Sequence, residues 1–139
     1  MNRFTKLAAD GNPLPAEATD WAQVLDTSTG LIWSRDPLLG KFKFAEVESA
    51  AAGFKLGDQV WRAPTIAELF TIADHSRFEP AINTDFFNCP SAWFWSSTVD
   101  ASSPGYYAWV VYFYHGDAGC YNQGSAALVR PVRSSRASQ

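Results

Sequence analysis

The sequence contains few of the residues that build metal centres, redox sites or polyanion-binding surfaces. It has two cysteines, two histidines and one methionine among 139 residues, with no CxxC or HxxxH spacing. Because metal sites generally need three or four ligands at short spacing, we expect neither a metal nor a cofactor. The net charge of −3 also argues against nucleic acid as a partner, since phosphate binding requires a basic surface.

Long hydrophobic runs are absent as well. No stretch reaches the roughly 18 apolar residues of a membrane-spanning helix, so we expect no membrane insertion. Residues 1–7 are followed closely by Asp10, Gly11 and Pro13 and lack the apolar segment of a secretory signal. With 47% hydrophobic and 18% charged residues, the chain suffices for one folded core, and we predict a single domain over residues 1–139.

Both ends of the chain are predicted to lie outside the regular structure. We expect residues 1–20 to form an irregular lead-in, because they are rich in Ala, Pro, Gly and Asp. We expect residues 134–139 to form a frayed tail. The basic residues Arg130, Arg133 and Arg136 are interpreted as part of a solvated terminus.

Cys89 and Cys120 leave two states open. A disulfide between them would close a loop of about 31 residues and stabilise the fold by about 3–4 kcal/mol. Two free, buried thiols are the alternative, because no export signal points to an oxidising compartment.

The first half of the chain predicts a hairpin and two helices. Residues 23–26 and 31–34 flank a turn in which Gly30 can take a positive φ. Thr65 and Glu68 form a T-x-x-E capping box that begins the second helix. Each helix has an apolar stripe with spacings of three and four residues, and the first ends at Gly53 or Gly57. The stripes are Val47, Ala50, Ala51 and Phe54, then Ile66, Leu69, Phe70 and Ala73.

The second half alternates in the manner of β-strands. Residues 93–98, 107–114 and 127–133 are predicted strands, and Pro131 indicates an edge position or a bulge in the last one. Alternation in the second strand places Trp109, Val111 and Phe113 on one face and Val110, Tyr112 and Tyr114 on the other. The order of elements predicts an α+β fold, with two helices packed on antiparallel sheets and long C-terminal loops.

Aromatic residues make up 15% of the chain, with six tryptophans and five tyrosines, more than one core of this size needs. Tyr and Asn combine rigid area with hydrogen-bonding tips, which suits them to contacts with sugars or protein surfaces. We therefore predict a ligand-binding surface, with burial in an oligomer contact or in a second small core as alternatives. The predicted ligand-binding residues are Tyr112 and Tyr114 on a strand face and Tyr106, Tyr107, Tyr121 and Asn122 in flanking loops.

Five short segments follow one another in an order that is more specific than any one of them. Residues 61–69 read W-R-A-P-T-I-A-E-L and resemble the W-R-L-P-T-x-x-E-L signature of the DUF1566 family, also called the Lcl C-terminal domain. The other segments look like the remaining motifs of that family and extend the resemblance over about residues 22–133. They are D-T-S-T-G-L-I-W at 26–33, W-S-S-T at 95–98, A-W-V-V-Y-F at 108–113 and V-R-P-V-R at 129–133.

The sequence departs from the family pattern at a few positions. Ala63 replaces a usual leucine, which should affect packing alone. Pro131 stands at a usual cysteine in the last motif, and residues 50–51 are alanines where a cysteine often lies on the first helix. If those family cysteines pair, the resemblance implies that this chain has lost the bridge.

The resemblance implies a C-type-lectin-like fold, related to formylglycine-generating enzymes and to the variable proteins of diversity-generating retroelements. It also implies a non-enzymatic recognition or adhesion module for a cell-surface glycan or protein, in a bacterial adhesin or a phage host-binding fibre. A virion-associated or extracellular location is favoured over a cytoplasmic one. The alternatives are a structural domain that trimerises or caps a larger fibre, and a formylglycine-generating type of oxidase that uses Cys89, Cys120 and copper.

Two further kinds of site find little support in the residues. A calcium-dependent sugar site needs several oxygen ligands that converge around a proline. Residues 79–81 contain the proline but lack the second oxygen ligand. Asn83 and Asp85 are the further residues nearby that carry oxygen ligands. Asp74 and His75 with Ser96 or Ser97 have the residue types of a hydrolase triad. The sequence around these serines contains no nucleophile elbow such as G-x-S-x-G. We therefore predict neither site and no enzymatic activity.

Overall fold

The structure, a computed structural model, describes residues 3–135 as an α+β arrangement of short elements. Two 3₁₀ turns, at Phe44–Glu46 and Leu56–Asp58, flank the first helix. The strands and helices are β1 (Phe4–Leu7), β2 (Gln23–Asp26), β3 (Leu31–Ser34), α1 (Val47–Ala52), α2 (Ile66–Phe70), β4 (Trp93–Val99), β5 (Tyr107–Tyr112), β6 (Asp117–Asn122) and β7 (Val132–Ser134).

The strands form two sheets. The first has four strands in the order β1-β2-β3-β7, and the second has three in the order β4-β5-β6. Neighbouring strands are antiparallel throughout both sheets. The predicted combination of helices with antiparallel sheets is confirmed. Within residues 3–135, no helix has the length and apolarity that crossing a bilayer requires.

The predicted irregular lead-in over residues 1–20 is wrong, because β1 pairs along its whole length with β2. The sequence did not indicate this strand, because a lysine such as Lys6 in a four-residue segment suggests a solvated position. In the structure Lys6 is 9% exposed, its Nζ lies 4.1 Å from the ring centroid of Trp21, and it donates to the carbonyls of Ala16 and Ala18. The predicted tail at 134–139 is also shorter, since Ser134 ends β7, and residues 136–139 lie outside the described residues.

The predicted hairpin is confirmed, with Asp26 of β2 opposite Leu31 of β3 and Gly30 at a φ of +75°. The Asp26 carboxylate accepts hydrogen bonds from the backbone and hydroxyl of Ser28 and from two nitrogens of Arg3. Burial opposes ionisation of Asp26, but these hydrogen bonds outweigh it and hold its pKa below the ordinary value. The turn therefore also ties the start of the chain to the sheet.

Both predicted helices are present, but they are short. Gly53 caps α1, so Phe54 lies beyond the helix. Thr65 caps α2 as predicted, with its hydroxyl accepting from the Glu68 backbone and the Glu68 carboxylate accepting from the Thr65 backbone. The predicted buried position of Phe70 is wrong. Phe70 is 42% exposed, because α2 ends there and the chain turns.

The three-stranded sheet has a hydrophobic cluster on each face. On one face Trp95 and Val110 pack with Val47 of α1. On the other face Phe94 and Val111 pack with residues of α2 that include Leu69. Because both faces are covered in part, the alternation in β5 does not separate a buried face from an exposed one.

The arginines near the C-terminus contradict the prediction of a solvated tail. Arg130 has no exposed surface, and its guanidinium donates to the backbone carbonyls of Ser34, Arg35 and Asn88. Arg133 is 7% exposed and donates to the side-chain oxygen of Gln23. Arg136 lies outside the described residues. Burial of the Arg130 guanidinium is supported by the three carbonyls that accept from its two terminal nitrogens, although Nε has no partner among residues 3–135.

The last predicted strand, 127–133, is present in fragments. Ala127 and Leu128 form isolated bridges with Phe42 and Phe94, and β7 begins at Val132, directly after Pro131. β7 lies at one end of the four-stranded sheet, as Pro131 predicted.

Candidate functional site

The three-stranded sheet gathers four aromatic side chains, Trp93, Tyr112, Tyr114 and Tyr121, which we call the aromatic cluster. Trp93 of β4 lies directly opposite Tyr112 of β5. Tyr121 of β6 lies opposite Ala108 of β5. Because side chains alternate between faces, this register places Trp93, Tyr112 and Tyr121 on the same face. Tyr114 joins them just beyond the end of β5.

The rings of the aromatic cluster are closely matched in orientation. The centroids of Trp93 and Tyr112 are 4.4 Å apart with an interplanar angle of 6°, and those of Trp93 and Tyr121 are 5.1 Å apart with the same angle. Tyr112 and Tyr114 are 5.9 Å apart at 26°. Ala108 and Gly119 carry almost no side chain on this face, which leaves room for the large rings to meet across β5.

Trp93 and Trp95 lie on the same face but differ in exposure. Trp95 is fully buried beside α1 and donates its Nε1 hydrogen to the carbonyl of Phe42 at 2.7 Å. Trp93 keeps 36% of its surface exposed. Tyr121 contacts both tryptophans, with its centroid 5.5 Å from that of Trp95. The aromatic cluster is thus the solvent-exposed end of a row of rings that is anchored in the core.

Polar groups border the aromatic cluster. Within residues 3–135, no protein group hydrogen-bonds to the hydroxyls of Tyr112, Tyr114 or Tyr121, so these hydroxyls remain able to donate and to accept. Asp117 lies opposite Tyr112 on the same face and is exposed. Between Asp117 and Tyr121, no heavy atom outside residues 118–120 lies within 4 Å of the position that a Cβ of Gly119 would occupy. An open strip with a carboxylate at one end therefore runs beside the rings.

The structure separates the six predicted ligand-binding residues into two groups. Tyr112, Tyr114 and Tyr121 come together in the aromatic cluster. Tyr107 and Asn122 lie opposite each other on the other face of the sheet, and Tyr106, 73% exposed, lies in the turn before β5. The placement of Tyr121 and Asn122 in loops is wrong, because they belong to β6, whereas Tyr107 begins β5 as the predicted strand over residues 107–114 requires.

The polar side chain of Asn122 has a local role. Its Oδ1 atom accepts a hydrogen bond from the backbone of Gly124 at 2.8 Å, in the turn that follows β6. The neighbouring Gln123 donates its side-chain amide to the carbonyls of Pro104 and Tyr107. The Asn122 oxygen and the Gln123 nitrogen therefore hold two turns in place.

Sequence reasoning missed Trp93 as a member of the site. A signal was available, since Trp93 and Trp95 are two residues apart in a predicted strand and therefore share a face. Which of the two is exposed depends on where α1 and residues 38–44 pack, and no local pattern contains that information.

Comparison with known protein families identifies the family to which this domain belongs. The profile of the Lcl C-terminal domain matches residues 22–133. The chain belongs to this family. No curated protein matches it in sequence at a significant level.

Several motif residues of this Lcl C-terminal domain have structural roles. Arg62 binds the Glu68 carboxylate through two nitrogens at 2.7 and 2.8 Å, and Glu68 also completes the cap of α2. Trp61 is buried and donates to the carbonyl of Leu56. Ser96 is buried, donates to the carbonyl of Trp109 and accepts from the Thr98 backbone. These contacts explain the W-R-x-P-T-x-x-E and W-S-S-T motifs as parts of the scaffold.

The residues considered for calcium and hydrolase sites are not assembled into either. The Asn83 side-chain oxygen accepts from the Asp85 backbone, and residues 79–81 are tied by their backbone to Phe113 and Tyr114. Asp74 binds Ser76 and Arg77, whereas His75 contacts the carbonyl of Gly116 at 2.9 Å. Within residues 3–135, no three His, Cys, Asp or Glu side chains form a group suited to holding a metal ion.

The two cysteines are free and lie in different surroundings. Cys89 is half-buried at the core below β4, and desolvation raises its pKa despite the nearby Arg130. Cys120 is exposed on β6, where partial desolvation and a hydrogen bond with Asp100 raise its pKa. Both surroundings favour the neutral thiol over the thiolate. The thiolate is the form that attacks substrates and binds metals.

A groove of about 780 Å³ lies away from the aromatic cluster, between α1 and the loop after β3. Trp21, Leu38 and Phe54 contribute to its apolar wall. Its charged groups are mostly engaged by the protein. Arg35 stacks on Trp21 at 4.2 Å, and Asp36 accepts from the Asn88 amide. The groove therefore indicates no particular ligand chemistry.

Proposed function

We propose that this domain is a non-enzymatic recognition module that binds a glycan at the aromatic cluster. The observation that carries the proposal is the near-parallel arrangement of Trp93 with Tyr112 and Tyr121 at a solvent-exposed position. Hexose rings present C–H groups that pack against aromatic rings, and this stack offers them the ring edges and the outer faces at its two ends. A rigid set of rings loses little conformational entropy on binding, because the core already holds it in place.

The polar surroundings of the aromatic cluster supply the directional part of recognition. The hydroxyls of Tyr112, Tyr114 and Tyr121 can donate to and accept from sugar hydroxyls. The exposed carboxylate of Asp117 is an acceptor for two adjacent sugar hydroxyls, and hydrogen bonds to a charged acceptor are stronger than those between neutral groups. This combination favours a neutral or amino sugar over an acidic one.

The proposal extends to a C-type-lectin-like fold and to a setting in a bacterial adhesin or a phage host-binding structure. It is supported by membership of the Lcl C-terminal domain family and by an α+β architecture with two antiparallel sheets. The aromatic cluster is small, so affinity per site would be low and repetition in an assembly would raise it. A protein ligand at the same rings is the second candidate, and it requires the same exposed surface.

Binding of the labelled protein to a glycan panel and to whole bacterial cells, with and without EDTA, tests the proposal. The decisive variant carries Tyr112→Ala, Tyr114→Ala and Tyr121→Ala together. Tyr106→Ala is the matched control, because Tyr106 is an exposed tyrosine outside the aromatic cluster. We expect saturable binding that EDTA does not remove, that the triple variant loses and that Tyr106→Ala retains.

Each other outcome has a defined meaning. Binding that the folded triple variant retains would contradict the proposed site. Binding to cells that is abolished by protease treatment of the cells, but not by glycosidase treatment, would replace the glycan with a protein. Absence of binding to either, with the fold intact, would favour a structural role in a fibre.

A further inference from the structure

β6 is an edge strand with an unpaired side. It is the last strand in the order β4-β5-β6, and it spans six residues, Asp117–Asn122. Natural edge strands are usually blocked by shortness, proline, lysine or a bulge, because free backbone groups attract another strand. β6 has none of these features, and its register with β5 runs without interruption.

The other sheet edges are covered by the chain itself. The Leu14 backbone pairs with Lys6 beside β1, and Arg62 forms a bridge with Val132 beside β7. At β4, backbone hydrogen bonds join Leu128 to Trp93 and Trp95. Among residues 3–135, the outer side of β6 meets a backbone group at its last residue, where Ser125 donates to the Asn122 carbonyl, and no segment pairs along Asp117–Tyr121. The open edge is therefore specific to this strand.

The hydrogen-bond pattern fixes which residues of β6 face outward. The backbone of Gln123 donates to the Tyr106 carbonyl, which makes these two a hydrogen-bonded pair. Such pairs alternate along an antiparallel ladder, so Asp117, Gly119 and Tyr121 direct their backbone groups toward β5. Ala118, Cys120 and Asn122 then direct theirs outward, and of these the Asn122 carbonyl already accepts from the Ser125 backbone.

We propose that the outer edge of β6 is a dimer interface that pairs antiparallel with β6 of a second copy about a twofold axis at Cys120. In this register Gly119 lies opposite Tyr121 of the other copy, and Cys120 lies opposite its own equivalent. Each Tyr121 ring leans toward Trp93 of its own chain, so Gly119 leaves this face between the paired strands clear of side chains. A glycine opposite the tyrosine removes a possible side-chain clash between the paired strands, and by symmetry this occurs twice.

Charge also favours a second copy in this register. Asp117 is the one charged residue between 117 and 123, and the twofold places it opposite Gln123 of the other copy. The two Asp117 residues are then six positions apart along the paired strands, or about 20 Å, so their repulsion is screened. The alternative axis at Gly119 would bring the two Asp117 residues to four positions apart, or about 13 Å, where their repulsion is stronger.

The pairing has a consequence for recognition. A twofold axis perpendicular to the joined sheet keeps the same face of both copies on the same side. The two aromatic clusters therefore lie on one continuous six-stranded surface, with the two Tyr121 residues as diagonal neighbours about 7–8 Å apart. A dimer would present two adjacent sites to one glycan. The dimer itself does not depend on the proposed function, because it follows from the edge of β6.

The first test is the oligomeric state across a wide concentration range, by sedimentation equilibrium. We expect a reversible dimer in the unmodified protein and in Cys120→Ser. Cys120→Lys sets two like charges directly opposite and should raise the dissociation constant about tenfold or more. Ala101→Lys, which adds the same charge on an exposed turn, should leave dimerisation unchanged. A monomer at every concentration, or a dimer indifferent to Cys120→Lys, would overturn the proposal.

The second test measures the register and does not depend on the stability of one variant. In a Cys89→Ala, Cys120→Ser background, chains with Gly119→Cys are mixed with chains with Tyr121→Cys and treated with a mild thiol oxidant. Directly opposed residues lie within disulfide range, so the mixture should form a disulfide dimer faster than either chain alone. Equal rates in all three samples would contradict the register.

Discussion

Trp93 of β4 and Tyr112 of β5 lie directly opposite each other, with ring centroids 4.4 Å apart and planes that differ by 6°. The next residues along the two strands, Phe94 and Val111, have no exposed surface and pack in the core, so they fix the backbone that carries the pair. The two stacked rings at the surface are therefore attached directly to core strands.

Removal of Trp93 tests the centre of the aromatic cluster. Trp93→Ala deletes both stacked contacts, and we expect about tenfold or greater loss of glycan affinity, measured by titration of intrinsic or label fluorescence. The free energy of unfolding should fall by about 1–2 kcal/mol, because aromatic pairs at a sheet surface contribute modestly. Trp93→Phe should recover most of both quantities. A variant that binds normally would show that Trp93 supports the fold alone.

Arg130 is expected to be one of the most sensitive positions in the chain. Arg130→Met would leave the carbonyls of Ser34, Arg35 and Asn88 without their buried donor. We expect a loss of about 3–5 kcal/mol in urea unfolding. Arg77→Met is the matched control, since the Arg77–Asp74 pair is more than one-third exposed on both sides and should contribute within about 0.5 kcal/mol. Similar losses in both variants would be inconsistent with the buried role of Arg130.

Acid stability should depend on Glu68. Hydrogen bonding from Arg62 lowers the pKa of Glu68 below its ordinary value, and burial offsets this in part. A carboxyl whose pKa is lower in the folded state stabilises the fold fully above its unfolded pKa, and this contribution is lost as pH falls through the folded pKa. Asp26 acts in the same direction.

We therefore expect the melting temperature to decline between about pH 5 and pH 3, where carboxyl groups titrate. Glu68→Gln should begin with a lower melting temperature at neutral pH and decline less on acidification. The exposed Glu17 offers the control, since Glu17→Gln should leave the curve unchanged. Parallel curves for Glu68→Gln and the unmodified protein would contradict this origin of acid sensitivity.

Gly57 is expected to reject any side chain. Its φ of +67° favours glycine, and a Cβ at this position would overlap the carbonyl oxygen of Ala9. Gly57→Ala should lower the free energy of unfolding by about 1–3 kcal/mol, measured by urea unfolding. Gly105→Ala should have a smaller effect, because open space surrounds Gly105. If Gly57→Ala were as stable as Gly105→Ala, the contact between residues 57 and 9 would be wrong.

Local signals predicted the features that depend on neighbouring residues. The turn at Gly30 and the capping box of Thr65 and Glu68 are confirmed, because a φ preference and a pair of side-chain hydrogen bonds act within a few residues. The alternation in β4 and β5 predicted their strands for the same reason. The order of five motifs predicted the family, which the profile match confirms.

Other features depend on contacts between segments that are far apart in the chain, and these features were not predicted. β6 was missed because D-A-G-C-Y-N contains a glycine and few β-branched residues, and β5 is what holds it in place. Arg130 is buried because three carbonyls from residues 34, 35 and 88 converge on it, which no local pattern encodes. Trp93 and Trp95 are identical in type and in strand face, and the packing of α1 decides which one meets solvent.

The sequence by itself determined the turn, the helix cap, the strand alternation and the family, since each depends on short-range conformational preference or on residue order. The tertiary structure decided which rings form the aromatic cluster, which arginines are buried and which sheet edge stays open. These depend on contacts between residues far apart in the chain, where burial and hydrogen bonding outweigh local preference.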